Sequence, residues 1–158
     1  MSRPFLGYGR QNIDEADISA VVDVLRGDFL TQGPAVERFE AALAERTGAR
    51  YAVSVSNGTA ALHIACLAAG VGPGDAGFTS AITFAASANC MRYAGGFPGF
   101  VDINSASLGM SVDGLKQALR HAPQAKVVIP VHLAGLAHAS TEIREAAAGR
   151  IVIEDAAH

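Results

Sequence analysis

Apolar residues recur along this chain with two different periods, and the period of the pattern divides it into helices and strands. Near the start, apolar positions spaced three or four residues apart predict one helix within residues 14–28. A second helix is predicted from Pro34, which suits a first helical turn, to a closing Gly48. The residues before position 13 are punctuated by Gly and Pro and are predicted to form an irregular arm.

After residue 50 the pattern alternates between short β-branched runs and longer helical segments. This alternation predicts an α/β fold of three layers (αβα), in which helices cover both faces of a mostly parallel sheet. The predicted strands are residues 51–56, 77–81, 97–103, 126–132 and 150–156, and the predicted helices are residues 59–70, 83–95, 111–121 and 140–149.

Composition narrows the class of protein. With 158 residues, 50% of them hydrophobic and 17% charged, the chain is long enough for one domain with a core and too apolar to be disordered. The net charge of −3 and the lack of any Lys/Arg cluster argue against nucleic acid and anionic membranes as partners. With no signal peptide and no apolar run long enough for a membrane span, we expect a soluble, cytoplasmic protein.

The chain has two cysteines, Cys66 and Cys90, and both lie in segments predicted to be helical. They lack the CxxC spacing of zinc or redox motifs, so we expect buried free thiols. No cluster of His, Cys and acidic residues has metal-ligand spacing, and no Ser–His–Asp nucleophile elbow is present.

Ligands of parallel sheets bind beyond the carboxyl ends of the strands, which directs attention to the residues that follow each strand. After the first predicted strand, Asn57 and Gly58 form a turn into a helix, and Thr59 adds a hydroxyl group. The free N–H groups of such a helix start favour an anion, although an ordinary helix cap would have the same sequence. The turn is neither a Walker A loop nor GxGxxG, which argues against nucleoside triphosphates and dinucleotides.

Three further positions at the predicted strand ends carry an aromatic ring, an acid and an imidazole. Phe84 is either a core residue or a ring that stacks on a flat heterocycle. Asp155 follows the apolar run of the last strand, which we expect to be central, and a buried charge there needs a partner. That partner is either backbone N–H groups or Arg150, or a cationic ring nitrogen of a ligand. His158 could bind an oxygen of the same ligand or have no role, and His132 is equally ambiguous.

Taken in order, several segments resemble the pyridoxal-phosphate-dependent nucleotide-sugar aminotransferases, the DegT-type enzymes of the aspartate aminotransferase fold (fold type I). The resemblance is to the N-terminal part of that family. The segment "SAITFAASANCMRYAG" is most similar to the branch that aminates a UDP-4-keto-6-deoxy sugar in pseudaminic acid biosynthesis. The matching segments are residues 29–75, 82–95, 128–135 and 152–158.

The resemblance implies roles for the residues at the strand ends. Gly58 and Thr59 would bind the phosphate of pyridoxal 5'-phosphate, and Phe84 would stack on its pyridine ring. Asp155 would pair with the pyridinium nitrogen, and His158 would lie near the phenolic oxygen. Three residues would lie near the active-site entrance and contact substrate: Thr31, Gln32 and Gly33.

The resemblance also implies the reaction and its partners. Full-length members transfer an amino group from glutamate to a keto nucleotide-sugar, in polysaccharide and cell wall biosynthesis, and they act as homo-oligomers. The Schiff-base lysine of the family falls beyond residue 158, and neither Lys116 nor Lys126 occupies a matching position. We therefore expect a truncated aminotransferase that is not catalytic alone. The alternatives are a non-catalytic module that binds pyridoxal phosphate or a partner protein, and a non-functional remnant.

The resemblance to this family also predicts how the chain divides into parts, and it indicates that one strand would lack its neighbours. Residues 1–34 would form an arm and a helix, and residues 35–158 a partial cofactor-binding large domain. In the family fold, the strand at residues 51–56 is joined to the rest of the sheet by strands that follow position 158. That strand would have bare edges here. We therefore expect it to pair with another copy, to pair elsewhere in its own sheet, or to leave the chain marginally stable.

Overall fold

The computed structural model of the chain describes residues 11–158, and backbone contacts group these residues into two units. The first unit ends at Ser54 and the second comprises Val55–His158. The two predicted helices of the N-terminal region both belong to the first unit, and the predicted division between residues 34 and 35 stays a prediction. The predicted arm lies almost entirely outside the described residues.

The first unit confirms both predicted helices. Helix α1 (Glu15–Arg26) begins at Asp14, whose carboxylate accepts hydrogen bonds from the N–H groups of Ala16 and Asp17. The Asp17 carboxylate accepts the N–H of Asp14 in return, which completes a capping box.

Helix α2 (Pro34–Thr47) has Pro34 in its first turn and ends at Gly48, whose φ of 70° is a left-handed conformation that suits glycine. Neither α1 nor α2 has a buried residue. Many of their apolar side chains, Leu25 and Phe39 among them, are therefore exposed in the chain as described.

The second unit is built from parallel strands and the helices that connect them. The strands form one sheet in the order β2-β1-β3-β4, and every pairing between them is parallel. This architecture confirms the predicted α/β class with a parallel sheet. The elements are α3 (Gly58–Ala68), β1 (Ala76–Ser80), α4 (Ala86–Tyr93), β2 (Phe97–Val101), α5 (Val112–His121), β3 (Val127–Ile129), a 3₁₀ turn (Leu133–Gly135), α6 (Ser140–Ala146) and β4 (Ile151–Val152).

The core lies on both faces of this sheet because successive side chains of β3 point in opposite directions. Val127 and Ile129 pack in a cluster with α3 and α4, whereas Val128 packs in a second cluster with α5 and α6. All three are fully buried, so β3 is the centre of the unit. The predicted three-layer arrangement is thereby confirmed.

Helix α4 lies close to the sheet because β1 carries a glycine beneath it. A Cβ atom at Gly77 would be 2.7 Å from the Met91 sulfur and 2.5 Å from Val127 Cγ2. Hydrogen is thus the only side chain that fits between these two groups. The close approach matters for the site, since α4 carries residues that face the end of β4.

The structure corrects two expectations about strands. Residues 51–55 are assigned no secondary structure, and Tyr51 and Val53 are 80% and 72% exposed. An extended segment becomes a strand only when a neighbouring segment pairs with it through hydrogen bonds. The β-branched pattern of these residues was therefore not enough to predict a strand. The last strand, β4, was expected to be central and instead lies at the edge of the described sheet.

Among residues 11–158, no helix has both the length and the apolar character needed to cross a bilayer.

Candidate functional site

The beginnings of α3 and α4 and the end of the chain enclose a cleft of about 260 Å³ in the second unit. It lies beyond β4, on the face of the sheet covered by α3 and α4, where a ligand of a parallel sheet is expected. All five predicted cofactor-binding residues line it. The lining residues are Gly58, Thr59, Leu62, Phe84, Ala86, Asp155, Ala157 and His158.

One wall of the cleft is the N-terminus of α3. The Asn57 side chain accepts the N–H of Ala60 at 2.9 Å, and the first intrahelical bond is donated by Ala61. Within residues 11–158 no acceptor lies on the N–H groups of Gly58 and Thr59, which are the usual unsatisfied donors of a first turn. A Cβ at Gly58 would meet nothing within 4 Å, so the space beside these donors is open.

The opposite wall holds Asp155, which is 8% exposed. Its backbone extends the β3–β4 pairing, because its N–H donates to the Pro130 carbonyl at 2.9 Å and its carbonyl accepts the His132 N–H at 3.0 Å. The regular ladder stops before this bridge, since Pro130 has no N–H with which to continue it. Asp155 is therefore fixed by backbone hydrogen bonds at the strand end.

The buried carboxylate has two partners: a serine, which the sequence did not predict, and a backbone N–H group, which was one of the predicted alternatives. Ser87 Oγ donates to Asp155 Oδ2 at 2.5 Å, and the Ala157 N–H lies 3.3 Å from Oδ1. Arg150, a predicted alternative partner, instead donates to the carbonyls of Ala125, Ala147 and Pro123. A hydroxyl compensates part of the cost of burying the carboxylate and adds no charge.

Ser87 is itself completely buried in the first turn of α4. Its Oγ lies 2.6 Å from Thr83 Oγ1, so that two hydroxyl groups and the carboxylate form a chain. The only signal in the sequence was the spacing of Thr83 and Ser87, four residues apart at a helix start. In the helix predicted from residue 83 that spacing would put two hydroxyls on one face, although α4 itself begins at Ala86.

Phe84 and His158 stand at the open side of the cleft. Phe84 is 74% exposed, which excludes the core role that was its alternative. It precedes α4, which begins at Ala86, three residues later than the predicted start at residue 83. His158 Nδ1 accepts the N–H of Ala134 at 3.0 Å, so a neutral ring carries its proton on Nε2.

The other candidate residues lie elsewhere. His132 is buried, and its Nε2 is 3.4 Å from Glu154 Oε2, which gives it a structural partner outside the cleft. The predicted substrate residues Thr31, Gln32 and Gly33 belong to the first unit, in the turn between α1 and α2, and their role stays a prediction.

Neither lysine of the chain lines the cleft. Lys126 Nζ is 2.7 Å from Asp75 Oδ2 and 2.7 Å from the Gly70 carbonyl, and Lys116 lies on α5, on the other side of the sheet. No group of three or more His, Cys, Asp or Glu residues in the described part of the chain could hold a metal ion. Cys66 and Cys90 are buried free thiols, as predicted, with their sulfur atoms 3.5 Å apart.

The parallel sheet between helix layers is the arrangement of the fold type I aminotransferases on which this chain superimposes. The chain matches the DegT/DnrJ/EryC1/StrS aminotransferase family over residues 11–158. It therefore belongs to that family, as the sequence resemblance predicted.

Individual relatives agree with this assignment. The chain is 39% identical to a UDP-4-amino-4-deoxy-L-arabinose--oxoglutarate aminotransferase of Shewanella sediminis, with 100% of this chain and 41% of the relative aligned. It is 38% identical to a spore coat polysaccharide biosynthesis protein of Bacillus subtilis, with coverages of 98% and 40%. Among solved structures, the apo form of a putative sugar aminotransferase of Streptococcus pneumoniae superimposes with a TM-score of 0.89 at 31% identity, covering 97% of this chain and 42% of that one. The chain thus spans about two fifths of the length of these relatives.

Proposed function

We propose that this chain provides the cofactor-binding part of a pyridoxal-phosphate-dependent sugar aminotransferase. The observation that carries the proposal is the cleft itself, with a helix N-terminus on one wall and a buried carboxylate on the other. These two features match the two ends of pyridoxal phosphate, an anionic phosphate and a basic ring nitrogen. A form of the S. pneumoniae protein that is described as the PLP form has a TM-score of 0.84 to this chain at 33% identity.

The phosphate would bind at the start of α3. The N–H groups of Gly58 and Thr59 and the Thr59 hydroxyl supply donors, and the positive end of the helix dipole favours an anion. The open space beside Gly58 lets an anion approach the backbone closely. This arrangement binds phosphate without a cationic side chain.

The ring nitrogen would pair with Asp155. A carboxylate next to a ring nitrogen favours the protonated form of the ring, which supports the electron-withdrawing role that the cofactor performs when bound. Ser87 occupies Oδ2, and the contact of Ala157 with Oδ1 is long at 3.3 Å, so that Oδ1 remains the better acceptor for a ligand.

The remaining two residues would orient the ring. Phe84 presents an exposed aromatic face at the mouth of the cleft, where it can stack on a pyridine ring and shield it from water. His158 can donate from Nε2 to the phenolic oxygen, since its Nδ1 is already occupied by Ala134.

The whole reaction would move an amino group from glutamate to a keto nucleotide-sugar, in the cytoplasm and within a homo-oligomer. A UDP-4-keto-6-deoxy sugar is the acceptor we favour, on the resemblance of residues 80–95. No amine of the two lysines lies at the cleft, so we propose that these 158 residues bind the cofactor without a covalent link and do not transaminate alone.

Pyridoxamine 5'-phosphate is the sharpest probe of this proposal, because it lacks the aldehyde that reacts with surface lysines. Calorimetric titration should show binding to the unmodified chain, and D155N should weaken it about tenfold or more through loss of the charge-assisted bond. D113N, on α5 at the opposite face, should bind like the unmodified chain. Absence of binding, or equal loss in both variants, would refute the site.

A parallel experiment tests the covalent link. The chain is incubated with pyridoxal phosphate and reduced with borohydride, and mass spectrometry then locates any modified lysine. We expect at most weak, non-selective labelling of Lys116 and Lys126 that free pyridoxamine 5'-phosphate does not suppress. Stoichiometric labelling of one lysine that the probe does suppress would contradict the non-covalent mode.

A further inference from the structure

We propose that Ser87 is a positioning residue, which together with Thr83 orients the Asp155 carboxylate toward a protonated ring nitrogen. This inference rests on the proposed function, since it assigns a task to residues behind the same cofactor site. Ser87 does not line the cleft and would not touch the cofactor. It acts only through Asp155.

The direction of the hydrogen bonds follows from the chemistry of the groups. A carboxylate only accepts hydrogen bonds, so the single proton of Ser87 is donated to Asp155 Oδ2. The hydroxyl of Thr83, 2.6 Å away, is then the donor to Ser87 Oγ, because this contact is much shorter than its 3.2 Å contact with the Phe84 carbonyl. Each hydroxyl strengthens the donor in front of it, because chains of hydrogen bonds polarise one another in a dry interior.

The consequence is a carboxylate whose Oδ2 is held by Ser87, while Oδ1 has only the 3.3 Å contact with the Ala157 N–H. Rotation about χ2 of Asp155 would break the bond between Ser87 Oγ and Oδ2, which is short and shielded from water on a fully buried residue. The orientation of Oδ1 is therefore set before any ligand arrives. Such preorganisation lowers the cost of ordering the site on binding.

The same chain of hydroxyls also connects the acid to the aromatic residue. Thr83 is adjacent to Phe84, so the segment that would stack on the ring and the residue that would pair with its nitrogen are linked through two hydrogen bonds. Displacement of the start of α4 would thus disturb both contacts together. If Ser87 only compensated the buried charge of Asp155, its replacement would not change ligand binding through Asp155.

A double-mutant cycle distinguishes a Ser87 that positions Asp155 for the ligand from a Ser87 that only compensates a buried charge. The affinity for pyridoxamine 5'-phosphate is measured in the unmodified chain and in S87A, D155N and the double variant S87A/D155N. We expect S87A to weaken binding about five- to tenfold in the unmodified background and less than twofold in the D155N background. S87T, which keeps a hydroxyl, should remain within about threefold of the unmodified chain.

The pH dependence gives a second readout that a purely structural role would not change. Affinity should fall as pH rises from the ring-nitrogen pKa of the free probe to that of the bound probe, which a well-placed carboxylate raises. In S87A the fall should end at lower pH and be smaller, because a carboxylate free to rotate raises the pKa of the bound ring less. S80A is the matched control, since Ser80 is equally buried and its hydroxyl has no partner within residues 11–158.

The outcomes discriminate between the two proposals. If D155N weakens binding and S87A binds like the unmodified chain, or S87A has the same effect in both backgrounds, the role of Ser87 is refuted and the site stands. If the unmodified chain does not bind the probe, both proposals fail. Should S87A not fold, T83V takes its place: it alters a half-buried residue and should weaken binding about two- to threefold by the same route.

Discussion

Gly77 is the residue whose replacement tests most directly how the sheet positions α4. It lies in β1, opposite Val127 of β3, and faces Met91 of α4. In G77A the added methyl carbon would be 2.5 Å from Val127 Cγ2, 2.7 Å from Met91 Sδ and 2.9 Å from the Val127 carbonyl oxygen. These distances lie well inside normal van der Waals separation, so something must move.

The loss of stability expected for G77A depends on which of the neighbouring groups can move. Met91 is flexible and can rotate, but the Val127 carbonyl belongs to the backbone of the fully buried strand β3. Overpacking of this kind costs about 1–3 kcal/mol, and we expect a value near the upper end because two of the three contacts involve β3. Alanine recovers roughly 0.5–1 kcal/mol relative to glycine within a strand, which leaves a net loss of about 2 kcal/mol.

The two cysteines make a specific assay for the second unit. Cys66 and Cys90 are fully buried beside Met91, and the chain contains no other cysteine. Both thiols are shielded from solvent, so the native protein should react slowly with a thiol reagent, even though their hydrogen bond lowers the pKa of Cys66 while it raises the pKa of Cys90. Urea unfolding followed by thiol labelling then reports on this unit alone, and G77A should shift its midpoint down by roughly 1 M.

Gly72 supplies the matched control. A Cβ at Gly72 would have as its nearest neighbour Asp75 Oδ2, at an ordinary 3.9 Å. G72A should therefore change the midpoint little or raise it slightly, because alanine restricts the unfolded chain more than glycine does. Equal midpoints for G77A and G72A would refute the packing of α4 on β1 described above.

Two further predictions concern polar groups at the surface of the second unit. Lys126 Nζ, 2.7 Å from Asp75 Oδ2, and the Gly72 N–H hold the pKa of Asp75 below its usual value. The ionised form is thus favoured in the folded state, so the free energy of unfolding should exceed that of D75N near neutral pH. The difference should shrink as pH falls below about 4, and an advantage that grows in acid would contradict the ion pair. Ser111 Oγ accepts the Gly114 N–H at 3.1 Å as the N-cap of α5, so S111A should lower the free energy of unfolding by about 1 kcal/mol and S111D should not.

Local patterns were enough to predict most of the helices of this protein. Pro34 was identified as a helix start and Gly48 as a helix end, and the structure confirms both. Such features depend on neighbours within four residues, which the sequence displays directly. The sequence also placed Gly58, Thr59, Phe84, Asp155 and His158 at strand ends, and the structure brings these five residues to one cleft.

Pairing across the sheet was less predictable. Residues 51–56 have the β-branched composition of a strand, yet the described residues give them no ladder. The position of β4 at the edge of the sheet, where a central strand was expected, is an equally non-local fact. Strand order is set by which segments meet in space, and composition does not encode it.

The sequence by itself determined the class of this protein: the alternation of strands and helices, the caps, and the residues at the strand ends that line the cleft. Only the tertiary structure decided what holds those residues in place. Ser87 and Asp155 are separated by 68 positions along the chain, and their hydrogen bond exists because α4 packs closely over a glycine in β1. A periodic pattern reports on near neighbours, whereas the partner of a buried charge is chosen by the packing of distant segments.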